Sequence, residues 1–113
     1  MKYIILLLLM VYSSQGLANC IERGCSGIAS ELFDRYYLSP AGGGQLRLKL
    51  KVDSSKLDCS LAEGKYMTLM ASHPLFEEIY SSLLTASVSK KKVFVRIDQG
   101  SDNCQVSYLM YYL

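Results

Sequence analysis

At 113 residues the chain has room for one small domain, and a formal net charge of +2 gives no electrostatic case for binding nucleic acid. With one histidine, His73, and no CxxC spacing, the sequence also speaks against a zinc site, and no motif calls for a cofactor.

Residues 1–18 form a pattern of their own. Met1-Lys2 is a short positive start, Tyr3 to Tyr12 (YIILLLLMVY) is an apolar run, and Gly16 and Ala18 are small residues preceding a cleavage before Asn19. This is the pattern of a secretory signal peptide, and the run is short for a membrane span. An uncleaved anchor is opposed by the lack of a basic stop-transfer segment. A lipid-attached Cys20 is opposed by Asn19, which stands where a small residue is needed. The expectation is a single domain over residues 19–113, exported to the periplasm or beyond, with one more basic than acidic side chain once Lys2 is lost.

Cys20, Cys25, Cys59 and Cys104 are an even set in a short exported chain, which reads as two disulfides rather than reactive thiols. Three pairings are open. Cys20 and Cys25 are near enough to close a small loop, which leaves Cys59 with Cys104. The longer loop would contribute about 4 kcal/mol by restricting the unfolded chain.

In chain order, Gly27 to Leu38 (GIASELFDRYYL) is apolar and aromatic and reads as a first strand. Ser39-Pro40-Ala41-Gly42-Gly43-Gly44 is a loop of free backbone, joining it to a second. That second strand, Gln45 to Val52 (QLRLKLKV), alternates Leu46, Leu48, Leu50 and Val52 against Arg47, Lys49 and Lys51, so one face is apolar and the other basic. Solvation explains the basic face. Three like charges on one face also permit an acidic or polar ligand opposite them. A polar turn, Asp53 to Lys56, precedes a third strand at Lys65 to Met70.

Next, Leu75, Phe76, Ile79, Tyr80, Leu83 and Leu84 recur at helical spacing. Ser72 or His73 is placed to cap this helix, Pro74 suits its first turn, and Glu77-Glu78 complements the N-terminal dipole. Lys90, Lys91 and Lys92 fall at its C-terminal end, where cations are favoured. Two strands close the chain, Val93 to Asp98 (VFVRID) and Cys104 to Leu113 (CQVSYLMYYL). No internal repeat, linker or low-complexity segment is present.

Three strands, one helix and two strands is the order of the five-stranded OB-fold barrel, in which the helix plugs one end. An α+β antiparallel sheet with the helix packed across one face is the alternative.

The stretch SHPLFEEIYSSLLTASVSKKKVFVRID…NCQVSYL resembles a group of small exported proteins of Gram-negative bacteria. In them a helix of the form LYxxLLxAxxxxKxVxVxV precedes a strand, a turn and a cysteine-bearing last strand. The plan is more distantly similar to the B subunits of subtilase- and pertussis-type toxins, OB-folds that assemble into rings and bind glycans. The likeness covers about Ile28 to Leu113. It implies that fold, an exported location and a Cys59–Cys104 disulfide, and carries over no glycan-contacting residue.

Three functional classes remain. Catalysis would have to use His73, whose neighbours Ser72, Ser81 and Ser82 lie on or beside the helix rather than at a strained elbow, so no catalytic residue is assigned and no enzyme is expected. A binding module would use tyrosines, which offer flat apolar faces with polar tips. Here Tyr36, Tyr37, Arg47, Lys49 and Lys51 are the candidate ligand-binding residues, for a glycan or an envelope or host protein. An assembly protein would use the last strand, where Val106, Tyr108, Leu109, Met110, Tyr111 and Tyr112 leave apolar side chains on both faces. These six are the candidate homo-oligomer interface. A monomeric structural or inhibitory protein without glycan binding is the competing account.

Overall fold

A computed structural model describes residues 17–113. The expected signal peptide, residues 1–18, lies outside these apart from Leu17 and Ala18. The domain is mainly β, with two antiparallel sheets and one long helix. The elements are β1 (Asn19–Ile21), β2 (Gly24–Ile28), α1 (Ala29–Leu32), β3 (Phe33–Ser39), β4 (Gln45–Leu50), β5 (Tyr66–Met70), α2 (Phe76–Ser89), β6 (Lys92–Ile97) and β7 (Val106–Tyr111). One sheet has the order β1-β2-β6-β7 and the other β3-β4-β5.

Among the described residues no closed barrel forms, so the coarser α+β description applies. The expected first strand is broken in two. Gly27 to Leu38 crosses from one sheet to the other, β2 pairing with β6 and β3 with β4, and the short α1 makes the corner between them. The expected strand at Gln45 to Val52 ends at Leu50, because the Lys51 amide bonds the Leu32 carbonyl at the corner (2.9 Å). The two sheets touch through an isolated parallel bridge between Thr68 and Gln105, with the Thr68 amide 3.0 Å from the Cys104 carbonyl.

The core lies between the sheets and under α2. Leu46 and Leu48 of β4, Met67 and Leu69 of β5, Val93, Val95 and Ile97 of β6, and Leu32 and Leu83 are almost fully buried. Alternation on β4 and β6 places these apolar residues on one face, as the sequence implies. Cys20 bonds Cys25 across the β1–β2 hairpin, and Cys59 bonds Cys104 beside the parallel bridge. Two disulfides are more typical of exported than of cytoplasmic proteins. Among the described residues no helix is long and apolar enough to cross a membrane.

The helix begins later than its cap signals suggest, at Phe76, and runs past its periodic stripe to Ser89. Ser72, His73 and Pro74 form the turn before it, and no side chain caps its first residue. His73 orders that turn instead: its Nδ1 accepts the Leu75 amide at 2.9 Å, and its Nε2 lies 2.6 Å from the Ser107 carbonyl on β7. A carbonyl only accepts, so this tautomer carries its proton on Nε2. At the other end Lys90 adopts the left-handed conformation (φ 55°, ψ 47°) and the Lys91 amide reaches back to the Ala86 carbonyl at 2.9 Å. Backbone geometry of the Schellman type, rather than lysine charge in the last turn, ends the helix. Ile79 and Leu83 are buried, Phe76 and Tyr80 are partly buried, and Leu75 and Leu84 are exposed, so the apolar stripe is narrower than expected.

Candidate functional site

The five candidate ligand residues do not share one face. Tyr37, Arg47 and Lys49 point outward from the β3–β4 sheet, Tyr36 points inward, and Lys51 lies past the strand end. The outward basic face is largely neutralised by neighbours. Arg47 donates to the Tyr37 hydroxyl and to Gln45 Oε1, both at 3.0 Å, and lies 3.6 Å from Glu63. Lys49 is 3.2 Å from Asp34, which also takes Arg35 Nε at 2.9 Å. Desolvation works to raise the Asp34 carboxyl, but hydrogen bonds from Arg35 and Lys49 outweigh it and hold it below the ordinary value of 3.8. Tyr37 is further occupied by the edge of the Tyr66 ring, 5.2 Å between centroids.

Tyr36 and Lys51 instead come together at a cavity of about 300 Å³ where α1 turns into β3 beneath the end of α2. The Phe33 ring gives it an apolar wall and packs against Tyr36 at 5.6 Å. Ser30, Tyr36 and Ser87 supply hydroxyls, Arg35 and Lys51 supply cationic groups, and the Asp34 carboxylate, already bonded to Arg35, lines it too. Lys51 Nζ already donates to the Ser30 carbonyl at 3.2 Å, which holds its ammonium at the rim. Burial raises the Tyr36 phenol above its ordinary 10.0. Sequence reading missed Ser30, Arg35 and Ser87, which reach this place only because the chain corners at α1.

The candidate oligomer residues divide by face. A register shift opposite Arg96 and Ile97 places Ser107 out of step, so Val106, Leu109 and Tyr111 turn toward the core. Tyr108, Met110 and Tyr112 turn outward and are 42%, 45% and 40% exposed. They share a shallow groove with Phe94, Arg96 and Arg23, and Lys92 Nζ sits 5.0 Å over the Tyr112 ring. The alternation of VFVRID already placed Phe94 and Arg96 on one face. Arg23 needed the β1–β2 hairpin, which has no strong strand signal.

His73 makes no approach to a nucleophile, its two ring nitrogens meeting backbone groups only. No group of His, Cys, Asp and Glu among the described residues could hold a metal ion. Compared with protein-family models, curated proteins and solved structures, the chain matches none of them.

Proposed function

We propose that the chain is an exported, non-catalytic binding domain on an OB-like plan, which takes a glycan at the Tyr36 cavity and assembles with further copies through β7. The plan is supported by the path of residues 24–39, which serve both sheets as one bent strand would. The parallel Thr68–Gln105 bridge supports it too, since it brings β5 beside the start of β7.

The observation that carries the binding reading is the cavity itself. Sugar rings present apolar C–H faces edged by hydroxyls, and the lining of Phe33, three hydroxyl side chains, the Asp34–Arg35 pair and Lys51 offers the matching surfaces. Arg35 is paired with Asp34 in the same lining, so Lys51 is the cation left to favour a glycan bearing an acidic group. The engaged ring of His73 supports the absence of catalysis.

A glycan array probed with the oxidised protein tests this. The expected result is retention of acidic glycans, weakened about fivefold by Tyr36→Phe, as loss of one neutral hydrogen bond of about 1 kcal/mol implies. An array on which the folded protein retains nothing contradicts the glycan reading and leaves an envelope or host protein as the ligand.

A further inference from the structure

Every open-ended sheet must protect its edge strands, because unpaired amides and carbonyls recruit other strands. The three clear edges of this domain are protected unequally. β1 is three residues long and tied into its hairpin by Cys20–Cys25. β3 carries Asp34 and Arg35 exposed along its length, and charge on an edge deters pairing. β7, at the end of its sheet, has no charged residue anywhere from Cys104 to Leu113, and no proline.

The backbone of β7 is open at a definite place. The Tyr112 amide bonds the Lys92 carbonyl at 3.0 Å, and antiparallel pairs alternate between bonded and non-bonded. Tyr108, Met110 and Tyr112 therefore spend their backbone groups on β6, while Ser107, Leu109 and Tyr111 turn theirs to the outer edge. The Ser107 carbonyl is taken by His73 Nε2. The amides and carbonyls of Leu109 and Tyr111 have no hydrogen-bond partner among the described residues.

We infer that this edge pairs with β7 of a second copy about a two-fold axis passing beside Met110. The inference rests on the assembly part of the function proposed above and gives it a register. In an antiparallel pairing centred on Met110, Leu109 of one copy faces the partner's Tyr111, and each of these residues exchanges both its free backbone groups. Shifting the register toward the N-terminus would require Ser107, whose carbonyl is occupied. Shifting it toward the C-terminus would require Leu113, beyond the end of the strand. On the outer face Met110 then meets the partner's Met110, and Tyr108 meets the partner's Tyr112, so the three exposed apolar side chains of each copy cover one another. The pairing is isologous, with the same patch on both sides. A ring would need β7 to meet a different edge, and both others are short or charged. No charge on either β7 opposes the contact. The grooves of the two copies become one platform across the joined sheet.

The test combines sedimentation of the signal-cleaved protein with disulfide trapping. Residues directly opposite at a non-bonded antiparallel site have Cα atoms about 4.5 Å apart, within disulfide reach. Under mild oxidation Met110→Cys is expected to give a covalent dimer with Cys20–Cys25 and Cys59–Cys104 intact by peptide mapping. Tyr112→Cys, four residues from its own copy across the strands, is expected to stay unlinked. Wild type is expected to sediment as a dimer. A dimer in which Tyr112→Cys links and Met110→Cys does not overturns this register while leaving assembly standing. A five-membered or larger ring overturns the two-fold axis. A monomer at every concentration overturns both register and assembly, and leaves the edge to a different partner.

Discussion

The Tyr36 hydroxyl lies 2.8 Å from Ser87 Oγ, joining β3 to α2 across 51 residues of chain. Ser87 Oγ also lies 2.8 Å from the Leu83 carbonyl, which can only accept. The single serine proton goes there, so Tyr36 is the donor to Ser87. One phenol thus fastens the helix to the sheet and still presents a lone pair to the cavity.

The direction of that bond gives a pH dependence. Burial raises the Tyr36 phenol above 10.0, and the raised group contributes stability that is full below the unfolded value and lost as pH rises through the folded one. Denaturant melts from pH 9 to 12 are expected to show wild type losing stability faster than Tyr36→Phe above about pH 10. Parallel curves would mean that Tyr36 ionises as freely folded as unfolded.

Burial sets a second expectation. Leu83 is fully buried on the inner face of α2, and Leu83→Ala is expected to cost about 2–5 kcal/mol as a cavity-forming truncation. Leu84→Ala, next along the helix at 44% exposure, is expected to cost under about 1 kcal/mol. Urea midpoints decide it, and equal losses would mean the helix is rotated from the orientation described.

How far the sequence reaches is clearest along this helix. Its existence and two of its three buried residues, Ile79 and Leu83, followed from spacing, whereas the buried Ala86 and the exposed Leu75 and Leu84 did not. Its ends did not. His73 acts through a β7 carbonyl far away in sequence, and Lys90 through a left-handed backbone, neither of which a local charge pattern encodes. The corner at α1 was illegible for a related reason. GIASELFDRYYL is apolar enough for a strand throughout, and only the demand that β2 pair with β6 while β3 pairs with β4 breaks it. Tyr36 and Lys51 were singled out as ligand residues for their chemistry, yet Tyr37, Arg47 and Lys49, chosen on the same grounds, point away from the cavity toward neutralising partners.

Close backbone approach makes Gly24 a sensitive position. A Cβ there would collide with the Val95 carbonyl oxygen of the adjoining strand. Gly24→Ala is expected to destabilise by about 1–3 kcal/mol, as overpacking does, whereas Gly64→Ser, whose side chain would meet open space but sits at φ 73°, is expected to cost less. Thermal melts that rank the two in the opposite order would place the β2–β6 contact elsewhere.

Removing the long-range disulfide tests the staple between the sheets. The Cys59→Ala, Cys104→Ala double variant closes no 45-residue loop and is expected to lose about 4 kcal/mol. Calorimetry should show a markedly lower Tm, and an unchanged Tm would mean the bridge does not restrain the unfolded chain.

The most direct test of the binding account is to map a retained glycan onto the folded protein by amide chemical-shift titration. The account predicts shifts concentrated at Ser30, Arg35, Tyr36, Lys51 and Ser87, saturating together and greatly reduced in Lys51→Ala. Shifts concentrated instead at Arg23, Phe94 and Tyr108, with the Tyr36 cavity unmoved, would contradict it.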